Sequence, residues 1–244
     1  MNTLLHAEAL RPHHEDGSTF EHALSLEVEP GRIICVVGPN GSGKTAYLRA
    51  LAGVDPAAGK LRILDHDIST LDTPGWRKLR CRVAFISEGA PLLSVLDGIS
   101  NVMLPALYHH LGEREAVHER AMELLTFLEY PGQYDALPAL LNQHQRLLLA
   151  IARCLMLSPE LVFLDEPFHM TDEDCRKRES DIYIKLAQER GLAVLVSTHN
   201  LGFVKRHAHE IVFIHPQGVQ HFTDWATFAA APLPSVQQFL HAAA

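Results

Sequence analysis

The stretch that most constrains this chain is Gly38-Pro39-Asn40-Gly41-Ser42-Gly43-Lys44-Thr45. An apolar, β-branched run, Ile33-Ile34-Cys35-Val36-Val37, precedes it, and Ala46-Tyr47-Leu48-Arg49-Ala50-Leu51 follows with helix-forming residues. A buried strand, a glycine-rich turn and a helix start are the setting a phosphate-binding loop needs. Glycines 38, 41 and 43 let backbone N–H groups turn inward around an anion without Cβ clashes. The helix start adds unpaired donors and the positive end of its dipole. In such a loop Lys44 reaches the outer phosphates of a nucleotide and the Thr45 hydroxyl ligates Mg²⁺.

A second segment completes a nucleotide site. Leu161-Val162-Phe163-Leu164 reads as a buried strand that ends in Asp165-Glu166-Pro167. Asp165 at the strand's end faces Mg²⁺ through water, and Glu166 is placed to polarise a water for attack on the γ-phosphate. A third strand, Leu192 to Thr198, delivers His199-Asn200 at its C-terminal end. Ligands of open α/β sheets gather at that edge, so His199 joins the candidate site.

Composition narrows the classes. The 244 residues hold 21 Lys and Arg against 29 Asp and Glu, a formal net charge of −8, which argues against nucleic acid as a partner. No apolar run approaches the ~18 residues of a membrane span, and the N-terminus lacks the features of a signal peptide. A cytosolic location is expected, peripheral to the membrane if a partner holds it there. Four cysteines form no C-x-x-C pair and read as reduced structural thiols. Sixteen histidines are scattered without a metal-site pattern. Asp72-Thr73-Pro74-Gly75 imitates the D-x-x-G element of GTPases, but no Asn is followed by Lys, so a guanine reader is missing. The charge run Arg176 to Glu179 reads as a solvated helix face.

Along the chain, Leu24 to Val28, Lys60 to Leu64, and Arg82 to Ser87 read as strands. Residues 92–158 switch to helical patterns, with Ser100 to Tyr108, Glu113 to Leu128 and Gln143 to Met156 as helices. A last β-pair spans Glu210 to His215 and Gly218 to Phe222, and the tail is helical around Ser235 to Leu240. The fold class is α/β, a P-loop NTPase core with a mostly parallel sheet and a helical insertion. The expected division is a nucleotide-binding core of residues 1–90 and 159–222, a helical subdomain of 91–158 and a tail of 223–244.

The ordered set resembles the nucleotide-binding subunit of ABC transporters over nearly the whole chain. Gln143 to Arg153 is similar to the segment after that family's signature motif, and Asp172 falls where its D-loop aspartate lies. The resemblance implies an N-terminal antiparallel β part and a dimer, of this chain with itself or with a paralogue, that sandwiches two ATP molecules. His199 would contact the γ-phosphate and hold Glu166 and the water, and the surface from Glu88 to Pro105 would receive an integral membrane subunit. Three departures stand out. The L-S-G-G-Q signature appears as Ala139-Leu140-Leu141-Asn142-Gln143, without the serine or either glycine; Leu141 adds bulk there, while Asn142 can still cap the next helix. The family's Q-loop glutamine falls on Glu88, a hard oxygen donor for Mg²⁺. The aromatic residue expected on adenine falls in Arg11 to His14, with His13 the nearest candidate. The ending 235–240 and Pro91 to Pro105 are similar to the lipid-trafficking, MCE-associated branch. The function implied is ATP hydrolysis driving a membrane partner, slowed by the degenerate signature. A nucleotide-gated regulatory module with little hydrolysis is the alternative, and a soluble ATPase of DNA repair or translation is disfavoured by the acidic balance.

Overall fold

The computed structural model describes residues 3–168 and 173–242. In chain order, β1 (Leu5–Pro12), β2 (Leu24–Val28) and β3 (Ile33–Val37) lead into α1 (Lys44–Leu51). Next come β4 (Ala57–Ile63), β5 (His66–Asp67), α2 (Thr73–Arg82) and β6 (Val83–Ile86). Three helices follow: α3 (Gly98–Tyr108), α4 (Arg114–Phe127) and α5 (Gln143–Leu155). The chain then alternates β7 (Leu161–Asp165), α6 (Glu173–Arg190), β8 (Ala193–Ser197), α7 (Leu201–His207) and β9 (Glu210–His215). It ends with β10 (Gly218–Phe222), α8 (Trp225–Ala229) and α9 (Pro234–Ala242).

Among the described residues the strands form two sheets. An antiparallel one runs β2-β1-β4-β5, and a mostly parallel one runs β10-β9-β3-β8-β7-β6. The central strands β3, β7 and β8 are buried throughout and apolar up to Asp165 and Ser197 at the ends of β7 and β8, because both faces of the second sheet are covered. Side-chain alternation then divides each run between two cores. Ile33, Cys35 and Val37 face one core with Val162, Leu164, Val194 and Val196. Ile34 and Val36 face the other with Leu161, Phe163, Ala193 and Leu195. The first core runs on without a break into α3, α4 and α5 through Val102, Met103, Ala121, Leu124 and Leu148. The helical insertion therefore shares the sheet's core.

One local reading held and two needed adjustment. Asp72 is no part of a nucleotide reader: its carboxylate accepts the Gly75 N–H at 2.8 Å and caps α2. The Arg176 to Glu179 run is solvated only through Arg178. Glu179 is fully buried, with its Oε1 3.2 Å from His144 Nδ1, because the helical period turns it toward the first turn of α5. Helix α8 carried no apolar period long enough to be read, yet Asp224 and Thr227 form a capping box that starts it.

Ahead of α3 the loop 93–97 carries exposed Leu93 and Val95. Asn101, fully buried, clamps that loop. Its Oδ1 accepts the Leu93 N–H at 2.7 Å, and its amide nitrogen lies 3.0 Å from the carbonyls of Leu93, Leu96 and Asp97. Two N–H groups serve three acceptors, so the clamp is shared rather than surplus. Asn101→Leu keeps the volume and removes every one of these bonds. It should lower unfolding stability by about 2 kcal/mol in urea titrations, with the exposed segment losing amide protection first.

Candidate nucleotide site

Strands β3, β8 and β7 lie side by side and parallel, with Val36 in register with Ser197 and Ser197 with Asp165. Their C-terminal ends therefore stop at one level, and the loops that follow deliver 38–45, 198–200 and 166–168 to one place.

The first loop is a cradle of left-handed glycines: φ is +154° at Gly38, +74° at Gly41 and +97° at Gly43. A Cβ on Gly38 would lie 2.0 Å from the Ile214 carbonyl oxygen, and one on Gly43 would lie 2.5 Å from a Phe20 ring carbon. Gly43 also occupies the N-cap of α1 without a side chain to satisfy the helix's first N–H groups. The Ser42 hydroxyl is buried and has no hydrogen-bond partner. A cradle with three glycines at its left-handed positions, open helix donors and an orphaned hydroxyl together fit an anion.

Lys44, only 7% exposed, folds back over the loop. Its Nζ lies 3.3 Å from the carbonyl oxygens of both Gly38 and Pro39, 3.0 Å from His199 Nε2 and 3.5 Å from Glu166 Oε1. Burial pushes its pKa below the ordinary lysine value, while Glu166 and Asp165 pull it back up. Glu166 Oε1 is 3.1 Å from His199 Nε2, so an ammonium, a carboxylate and an imidazole meet at one point. The carboxylate oxygen is buried between the two cationic-capable groups.

Behind it, Asp165 is 5% exposed. Its Oδ1 accepts from Thr45 Oγ1 at 3.0 Å and from Ser197 Oγ at 2.6 Å. The hydroxyl of Thr45 and the carboxylate of Asp165 are hard oxygen donors held together, as Mg²⁺ requires. Ser197 was carried in the sequence only as a neighbour of His199. Its hydroxyl role depends on strand register, which sequence spacing does not reveal.

Above the cradle opens a cleft of about 550 Å³ lined by His13, Asn40, Gly41, Gly43, Lys44, Thr45, Glu88, Glu166 and His199. Glu15, Arg49 and Asp55 complete its charged rim, where Arg49 Nε and Asp55 Oδ2 pair at 2.5 Å. His13 reaches the cleft, but its ring is engaged with Thr19 Oγ1 at 3.2 Å. The flat aromatic surface belongs instead to its neighbour. His14 stacks on Phe20 with ring centroids 3.9 Å apart and planes 9° from parallel, and Phe20 abuts Tyr47 edge-on. The only sequence signal for this pair is one aromatic residue in a polar stretch.

Residues 139–143, expected to be the signature segment, do not line this cleft. Leu141 turns inward, 5% exposed in the first core, so the bulk expected at the loop surface comes from Leu140, 75% exposed. Asn142 caps α5 as anticipated: its Oδ1 accepts the Gln145 N–H at 2.9 Å, and Gln145 Oε1 accepts its own N–H at 3.0 Å. Gln143 begins the helix. Asp172 lies outside the described residues.

Comparisons with known proteins bear on the family and the fold. The family description ABC transporter matches residues 22–169. The L-cystine transport system ATP-binding protein TcyN of Escherichia coli is 31% identical over 232 residues, 92% of each chain. The lipoprotein-releasing system ATP-binding protein LolD of Novosphingobium aromaticivorans is 34% identical over 79% of this chain and 88% of its own. A dimeric post-hydrolysis state of the ATP-binding cassette MJ0796 bound to ADP and Pi superposes with a TM-score of 0.81 at 23% identity, covering 90% of this chain and 98% of that one. The last match establishes the fold.

The glycines provide a graded test. Gly38→Ala drives a methyl into backbone and should cost roughly 3 kcal/mol or more in thermal or urea unfolding. A Cβ on Gly41 meets nothing within 4 Å, so Gly41→Ala should cost only about 1 kcal/mol, the strain of its left-handed backbone.

Proposed function

The chain belongs to the ABC transporter family, among its ATP-binding subunits, and on that premise we propose that it hydrolyses ATP with Mg²⁺ to drive an integral membrane partner. The observation that carries this reading is the meeting of Lys44, Glu166 and His199 within 3.5 Å above an anion cradle. In the proposed cycle Lys44 exchanges the Gly38 and Pro39 carbonyls for the outer phosphates, a stronger charge-assisted contact. Glu166, a carboxylate just past the end of β7 over the cradle, accepts a proton from the attacking water. His199, 3.1 Å from that carboxylate, holds it in place and would contact the γ-phosphate. Thr45 and Asp165 would hold Mg²⁺ through oxygen, and the ion when bound would supply charge neutralisation at the phosphates. Glu88 lines the cleft and adds a further hard oxygen. The His14–Phe20 stack is the platform for the adenine.

The chain works as a dimer with a second ABC ATPase subunit, itself or a paralogue, each copy lending residues 139–143, and Asp172, to the other's nucleotide. The proposed core, helical subdomain and tail divide at residues 90, 158 and 222. Leu140 replaces a hydroxyl donor with an exposed apolar side chain, so a dimer of identical chains turns over slowly. The same side chain favours the second reading, a nucleotide-gated module with little hydrolysis. Leu93, Val95, Leu104 and Tyr108 form an exposed apolar face on the helical insertion for the membrane subunit. No described helix is long and apolar enough to cross a membrane, and the proposed location is the cytoplasmic face of the inner or plasma membrane. The named relatives serve cystine and lipoprotein systems, so the lipid-trafficking resemblance is not carried into this proposal.

Purified alone, the chain should hydrolyse ATP slowly, and Glu166→Gln should abolish turnover while leaving ATP affinity within severalfold. Vigorous turnover would refute the impaired signature; turnover that survives Glu166→Gln would refute the catalytic assignment. Phe20→Ala should weaken ATP roughly tenfold, the value of one base–aromatic stack, and leave inorganic triphosphate binding unchanged in parallel titrations.

A further inference from the structure

Ser197 is fully buried at the end of an otherwise apolar strand. A hydroxyl in that position is unfavourable unless both its donor and its acceptor capacity are met. Both are. Oγ donates to Asp165 Oδ1 at 2.6 Å and accepts the Glu166 N–H at 2.9 Å. The Ser197 carbonyl accepts the same N–H at 3.1 Å. Glu166 meanwhile holds φ at +43°, a left-handed conformation that a side chain adopts only under external restraint.

We propose that Ser197 is a positioning residue for the nucleotide site, which fixes the Asp165 carboxylate toward Mg²⁺ and holds Glu166 in its left-handed backbone. This rests on the ATPase reading above. The serine's single proton fixes the rotation of one carboxylate, and its lone pair fixes the main chain of the next residue. Thr45 Oγ1 donates to the same Asp165 oxygen, so the carboxylate is gripped from the cradle and from β8 at once. An alanine would keep the Glu166 N–H to Ser197-position carbonyl bond but release Asp165 from its shorter donor. The effect therefore passes through the metal side first and through the position of Glu166 second.

The test measures ATP affinity with EDTA and across a Mg²⁺ titration, together with kcat and Tm, in the wild type, Ser197→Ala and Ser197→Cys. In Ser197→Ala, affinity in EDTA should stay within about twofold. Half-maximal enhancement of binding should need at least severalfold more Mg²⁺, and kcat should fall roughly tenfold or more, the worth of a hydrogen bond to a charged group. Ser197→Cys, close in size but a weak donor, should behave in the same way and stands in if the alanine variant does not fold. Ser197→Thr, which restores a hydroxyl, should recover most of the Mg²⁺ response. An unchanged Mg²⁺ requirement and kcat would overturn the proposal, as would a loss of EDTA affinity and Tm in parallel with kcat. A wild-type chain that binds ATP with Mg²⁺ but does not turn it over would refute the hydrolysis reading, and the Mg²⁺ titration would still decide the role of Ser197. A wild-type chain that binds no ATP overturns both.

Discussion

A lysine ammonium held nine-tenths out of water dictates much of this architecture. Removing that charge from solvent is costly unless donors find acceptors and a counter-charge lies near. The Gly38 and Pro39 carbonyls, the His199 ring and the Glu166 carboxylate supply both. They come from three separate loops, so Lys44 can be buried only if β3, β7 and β8 finish together. The sheet order and parallel registers that achieve this are a condition of the site.

The two-faced sheet makes those registers rigid. With one core on each side, a slip of a single residue would exchange every inward side chain of a strand for its neighbour's. Cys35 and Val36 could not trade places without moving α1 and the helical insertion together. The rigid frame also tolerates strained points, and Glu166 is the clearest of them.

What the sequence made legible follows from how each feature is encoded. The P-loop, the acidic pair after β7 and the His199 strand end were readable because each is contiguous, with its chemistry written beside its secondary structure. Asn142 as a helix cap was readable for the same reason. Ser197, the His14–Phe20 stack and Asn101 were not, since each acts on a partner fixed by register or loop return. Glu179 was misread because a run of charges says nothing about the one position that the helical period turns inward. The paired leucines of the signature segment show the limit most plainly: composition flags both, and only packing separates buried Leu141 from exposed Leu140.

The rim of the cleft has an electrostatic consequence. Among its lining residues, Lys44 and Arg49 face four carboxylates, Glu15, Asp55, Glu88 and Glu166, and Arg49 is already bound to Asp55. The lining of the cleft therefore holds more carboxylates than cationic side chains, even though its floor fits an anion. A bare polyanionic nucleotide approaches against repulsion and meets attraction only at contact distance, within a Debye length of about 8 Å at physiological salt. One already carrying a divalent cation meets a much lower barrier, and added salt speeds the encounter of the bare form. On the proposed function, such a rim would favour a nucleotide that arrives with its charge already partly neutralised by a divalent cation.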